Sequence, residues 1–165
     1  MRIPLTRRDA LQGLLIYASG DTVAALILGQ FSWRRLLGMM LVGATVYAVE
    51  IPAYFRWIDR RTEHMSRGLR LAAARTGLAL LYFNPLWIAR HLAFIAFFNA
   101  GLGAVRPTLL HTALLSWLVN IPLSIVGNAV IQVGLPLRWR FAGSATFSGL
   151  MAVYYALSGV WFGAR

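Results

Sequence analysis

The chain has 165 residues, 59% of them hydrophobic and 13% charged, with a mean hydropathy of +0.64. That is the composition of a membrane protein, and the length suits one compact helical bundle forming a single domain over residues 1–165. Cysteine is absent, which excludes disulfides and thiolate metal sites, and the net charge of +11 is carried by arginine alone among sixteen basic residues.

The first apolar stretch, about 10–30, follows the basic residues Arg2, Arg7 and Arg8. Asp21 interrupts it and no small-residue cleavage site closes it, so a retained first span is expected rather than a signal peptide. Arg34 and Arg35 separate it from a second stretch, about 36–55, which contains Glu50. Arg56, Arg60, Arg61, Arg67, Arg70 and Arg75 then lead to a third stretch, about 72–104. That stretch is too long for one perpendicular span. Asn84-Pro85 predicts a kink in it, because proline removes a backbone donor and restricts its predecessor.

A fourth stretch, about 108–134, precedes Arg138 and Arg140, and a fifth runs over about 142–163, with Gly143-Ser144-Ala145 read as a turn into it. The expected fold is therefore an all-α polytopic bundle of four to five spans. Arginines gather between alternate stretches, as on cytoplasmic loops facing anionic lipid, rather than as on a nucleic-acid binder. This bias predicts a cytoplasmic N-terminus in a bacterial inner membrane. Trp33, Trp57 and Trp139 each adjoin an arginine, which suits the headgroup level. Small residues (Gly20 and Ala24, Ala44 and Ala48) predict close helix contacts.

The fourth stretch carries Thr112, Ser116, Asn120, Ser124, Asn128 and Gln132 at intervals of four. Each step of four advances a helix by about 400°, so the row drifts by roughly 40° per member and roughly 200° in all. Asn120, Ser124 and Asn128 span only roughly 80° and share a face. Pro122 among them frees the carbonyl of Leu118. These three are candidate ligands for a polar solute, while Thr112, Ser116 and Gln132 fall to packing or the interfaces. The plainer account makes the row interhelical glue.

Four ionisable residues lie at membrane depth: Asp21, Glu50, Arg90 and His91. Such groups must be paired or wetted, and they mark candidate pathways. Arg90 could attract a carboxylate, with Asp21 or Glu50 pairing it when empty or carrying a proton. The structural alternative is an Asp21–Arg90 ion pair between the first and third spans. His91 beside an arginine reads as a hydrogen-bonding partner before a switch. No metal-ligand spacing, glycine-rich phosphate loop or activated serine is present, so neither a cofactor nor an enzymatic activity is expected.

Two families resemble this chain. Gly29-Gln30-Phe31-Ser32-Trp33, Ile51-Pro52-Ala53-Tyr54-Phe55-Arg56-Trp57-Ile58-Asp59, Phe83-Asn84-Pro85, and Asn120 with Ser124, Arg138 and Arg140 resemble elements of the bacterial L-alanine exporter family. Gly20-Asp21, Tyr54 to Asp59, Pro122 with Asn128, Leu135 to Arg140 and Tyr155-Ala156-Leu157-Ser158 are similar to motifs of the Mpv/PMP family of peroxisomal and inner-mitochondrial membrane proteins, regarded as small-solute channels. The first resemblance implies alanine export and the second a channel. Both imply a protein whose partners are the bilayer and a small polar solute, and a homo-oligomer is one way to enclose the path. A non-transporting scaffold whose polar row binds another helix is the competing class.

Overall fold

Residues 5–162 are described by the computed structural model, with only the backbone of Ala152 and of residues 155–162. These residues form helices and no strand. Helix α1 spans Arg7–Ile27, capped by Thr6, whose hydroxyl accepts from the Asp9 amide at 3.0 Å. Helix α2 spans Trp33–Thr62, with a wide π turn at Gly43–Tyr47 and Pro52 within it. Ser32 caps it, accepting from the Arg35 amide at 3.1 Å.

Helices α3, Leu69–Tyr82, and α4, Pro85–Ala100, are the two halves of the long third stretch, bent by 43° at the break. The expected kink falls where Asn84-Pro85 placed it. Pro85 opens α4, and the Asn84 carboxamide oxygen accepts from the amides of Leu86 (2.8 Å) and Trp87 (3.1 Å), supplying two of the donors that a helix start leaves open. Helix α5 spans Thr108–Gly134 and closes in a second π turn, Val130–Gly134. Helix α6 spans Leu137–Phe162, so Gly143-Ser144-Ala145 lies inside a helix and not at a turn. Leu135-Pro136 makes the break instead, since proline disfavours helix in the residue before it.

Among the described residues, α1, α2 and α5 are long and apolar enough to cross a membrane, and the bent α3–α4 pair adds a fourth if its two halves count as one span. Three to four candidate spans are slightly fewer than the four to five expected. The fifth expected stretch falls on α6, which does not add to that set; its last residue, 163, lies outside the described residues.

α1 packs extensively on both α6 and α2. Both approaches depend on glycine. A Cβ on Gly20 would lie 2.5 Å from the Gly149 Cα, and one on Gly13 would lie 2.1 Å from the Gly43 carbonyl oxygen. Ala24 and Ala48 are buried as close contacts require. Leu11, Leu15 and Leu26 of α1 and Leu118, Val119 and Val126 of α5 are exposed, while the polar row of α5 faces inward. Apolar outside and polar inside is the arrangement that lipid selects.

The two ends of the bundle differ. At one end Asp59 of α2 pairs with Arg75 of α3 (2.9 Å) and with Arg140 of α6. Arg75 also donates to the Thr62 hydroxyl at 2.9 Å and the Gln132 carbonyl at 3.3 Å, so four helices are tied together there. Arg8 stacks on Trp139 at the same end, 4.6 Å from the ring centre. At the opposite end Arg34 reaches the Phe97 carbonyl and lies over its ring. The arginine-rich N-terminal, 56–75 and 138–140 segments thus gather at one end.

Candidate functional site

Two ion pairs occupy the interior of the bundle. Arg35 of α2 reaches back across the α1–α2 turn to Asp21, donating from Nε at 2.8 Å and Nη2 at 2.6 Å. Both side chains are at most 3% exposed. The expected Asp21–Arg90 pair is therefore absent. Arg35 satisfies Asp21 with two parallel bonds from a neighbouring helix, and a carboxylate so held has no need of a more distant cation. Arg35, counted from the sequence as a loop charge, is an interior residue.

Arg90 of α4 pairs instead with Glu50 of α2, through Nη2–Oε1 and Nη1–Oε2 contacts of 2.9 Å each. This pair is about a third exposed, at 38% and 32%. It lines an open cleft of about 380 Å³ with Tyr54, Leu81, Tyr82, Asn84, Leu86 and Trp87. The kink builds this cleft, because the α3–α4 bend sets Tyr82 and Trp87 on its two sides. Tyr54 and Tyr82 stack with ring centres 4.4 Å apart, and the Tyr54 hydroxyl donates to the Leu78 carbonyl at 3.0 Å. Two donors of the lining residues, Arg90 Nε and the Trp87 indole Nε1, are buried without an acceptor. A buried donor left unpaired costs on the order of 1–3 kcal/mol.

His91 is buried against this wall. Its Nδ1 lies 2.9 Å from the Tyr47 hydroxyl, and its ring stacks on Trp87 at 5.6 Å and 5°. The reading of His91 as a hydrogen-bonding partner agrees with this geometry. Tyr17 adds a ring 4.6 Å from Tyr47, one turn before Asp21, so aromatic packing fills the space beside the open pair.

The polar row of α5 is arranged differently from both sequence accounts. Thr112, Ser116, Asn120, Asn128 and Gln132 are all buried, so the ends of the row turn inward with its centre. Drift does not expose them because the neighbours change along the helix, with α4 and α3 both packing on α5 and α3 and α6 meeting its closing π turn. Most of the polar groups bond within α5. Ser116 donates to the Thr112 carbonyl at 2.7 Å, Asn120 to the Ser124 hydroxyl at 2.9 Å and Asn128 to the Ser124 carbonyl at 2.9 Å. Leu118 and Pro122 lie on the exposed face, so the freed carbonyl does not serve the row.

Ser124 and Asn128 line a small cavity of about 20 Å³ with Phe83, Trp87, Ser144, Phe147, Ser148 and Met151. That is room for about one water. Arg90 is not part of its wall, and Trp87 stands between the two spaces as a residue of both. The sequence placed Arg90 with Asn120, Ser124 and Asn128 in one site; the structure divides them. What the sequence reading missed is the aromatic rim of Tyr54, Tyr82 and Trp87. Its signal was present in the aromatic residues flanking Asn84-Pro85.

No family model matches this chain, and neither does any curated protein or solved structure.

Proposed function

We propose that this protein is an integral transporter of the bacterial inner membrane that exports or conducts a small zwitterionic solute, an amino acid such as L-alanine. The N-terminus and the arginine-rich end face the cytoplasm in this reading, following the positive-inside bias. The observation that carries it is the half-open Glu50–Arg90 pair in an aromatic cleft. A zwitterion has the same two charges as the pair it would replace. Its carboxylate takes the Arg90 guanidinium, its ammonium takes Glu50, and its side chain meets Tyr54, Tyr82 and Trp87. Every charge keeps a partner as the solute takes the place of the ion pair.

The resemblance to the L-alanine exporter family supports alanine as the first solute to try; the resemblance to the Mpv/PMP family supports a channel. Asn120, Ser124 and Asn128 stabilise α5 here and do not contact the solute. The burial of most of the polar row inside the chain supports the transport reading over the scaffold alternative.

Counterflow of labelled L-alanine into vesicles containing the purified protein tests the proposal. Saturable uptake is expected, reduced at least about tenfold by Arg90→Gln or Glu50→Gln in protein that remains folded. Absence of uptake by the native protein, or full uptake by Arg90→Gln, would overturn it.

A further inference from the structure

A third cavity lies at the arginine-rich end, between the start of α1, the second half of α2 and the start of α6. It has a volume of about 240 Å³ and is lined by Thr6, Arg8, Asp9, Pro52, Phe55, Arg56, Leu137, Arg138 and Phe141. Three arginines from three helices and one aspartate line it. Neither the arginines nor Asp9 take part in an ion pair among the described residues. Arg56 Nη2 is buried and has no acceptor. Elsewhere in the bundle, buried guanidinium groups are matched: Arg35 to Asp21, Arg140 to Asp59. Here positive charge exceeds negative, and a buried donor of Arg56 is unanswered.

We infer that this cavity binds a phosphate-bearing anion, with the headgroup of an anionic lipid as the favoured source. Arginine forks match phosphate oxygens in pairs, and basic pockets between spanning helices at the cytoplasmic surface suit anionic headgroups. Two further observations point to lipid. Phe55 and Phe141, both buried, give the arginine-lined cavity an apolar wall. Arg8 stacks on the half-exposed Trp139, a pairing that sits well at the headgroup level. The site is separate from the Glu50 cleft and does not depend on the transport proposal.

The test is equilibrium binding to the full chain in neutral detergent, using short-chain phosphatidylglycerol, phosphatidylcholine of equal chain length and inorganic phosphate. Phosphatidylglycerol is expected to bind at least about tenfold more tightly than phosphatidylcholine, whose ammonium opposes the arginines. Arg56→Gln and Arg138→Gln should each weaken it about fivefold, while Arg60→Gln, an exposed arginine outside the cavity, should leave it unchanged. Asp9→Asn should strengthen binding a few-fold, which keeps the test decisive where an arginine variant fails to fold. Competition by inorganic phosphate at the same site, with the same response to the variants, would support the anion pocket and assign a soluble source. Equal affinity for the two lipids without phosphate binding, or folded Arg56 and Arg138 variants that bind as the native chain does, would overturn it.

Discussion

The two interior ion pairs are built from the same chemistry and put to opposite uses. Asp21–Arg35 is sealed, with two short bonds and almost no exposure; Glu50–Arg90 has equally direct contacts but opens on a cleft. The difference lies in the surrounding helices. Beside Asp21, Gly20 lets α1 and α6 approach to backbone contact, which excludes solvent and solute alike. Beside Arg90, the break at Asn84 bends the chain by 43° and leaves a gap that aromatic rings only partly fill. A sealed pair stabilises one arrangement, whereas an open pair can exchange its partner for a ligand.

Breaking the sealed pair should have the largest effect on stability. Asp21→Ala strands a buried guanidinium and should cost about 3–5 kcal/mol, read as a loss of thermal stability in detergent. Replacing both members by apolar residues of similar volume should recover most of it. Gly20→Val attacks the seal itself; its side chain meets the Gly149 backbone, which cannot swing aside, and should cost about 1–3 kcal/mol. Arg90→Gln should cost only about 1 kcal/mol, since the Glu50–Arg90 pair is already partly solvated, yet remove transport. Ser124→Ala is the smallest change. It removes an acceptor for Asn120 inside α5, should cost about 1 kcal/mol or less, and should leave more than half of the native uptake. A large loss of uptake in Ser124→Ala with Arg90→Gln active would reverse the roles of row and cleft.

Much of the architecture could be read in advance. Hydropathy located the spans, and Asn84-Pro85 located the bend, because these depend on local composition and on the covalent limits of proline. The interior charges could also be found, since depth follows from span position. Their partners could not. The sequence does not say which arginine meets Asp21, and the packing of α1 on α2 brings Arg35 to it. The reading of Arg35 as a loop charge failed for the same reason: a long side chain in the first turn of a helix can point into the bundle. The row of α5 was visible as a pattern, but the inward burial of Thr112, Ser116 and Gln132 depends on which helices lie across each end. Arg8, Arg75 and Arg140, distant in sequence, come together at one end of the bundle.

The central claim is that an open Glu50–Arg90 pair accepts a solute bearing both charges. Its most direct test is calorimetric titration of the purified protein with L-alanine, and with propionate and ethylamine, which each keep one of its charged groups. Saturable L-alanine binding is expected, with both single-charge analogues at least about tenfold weaker and all binding lost in Arg90→Gln. Equal affinity for L-alanine and ethylamine, or undiminished binding of L-alanine by folded Arg90→Gln, would contradict the account.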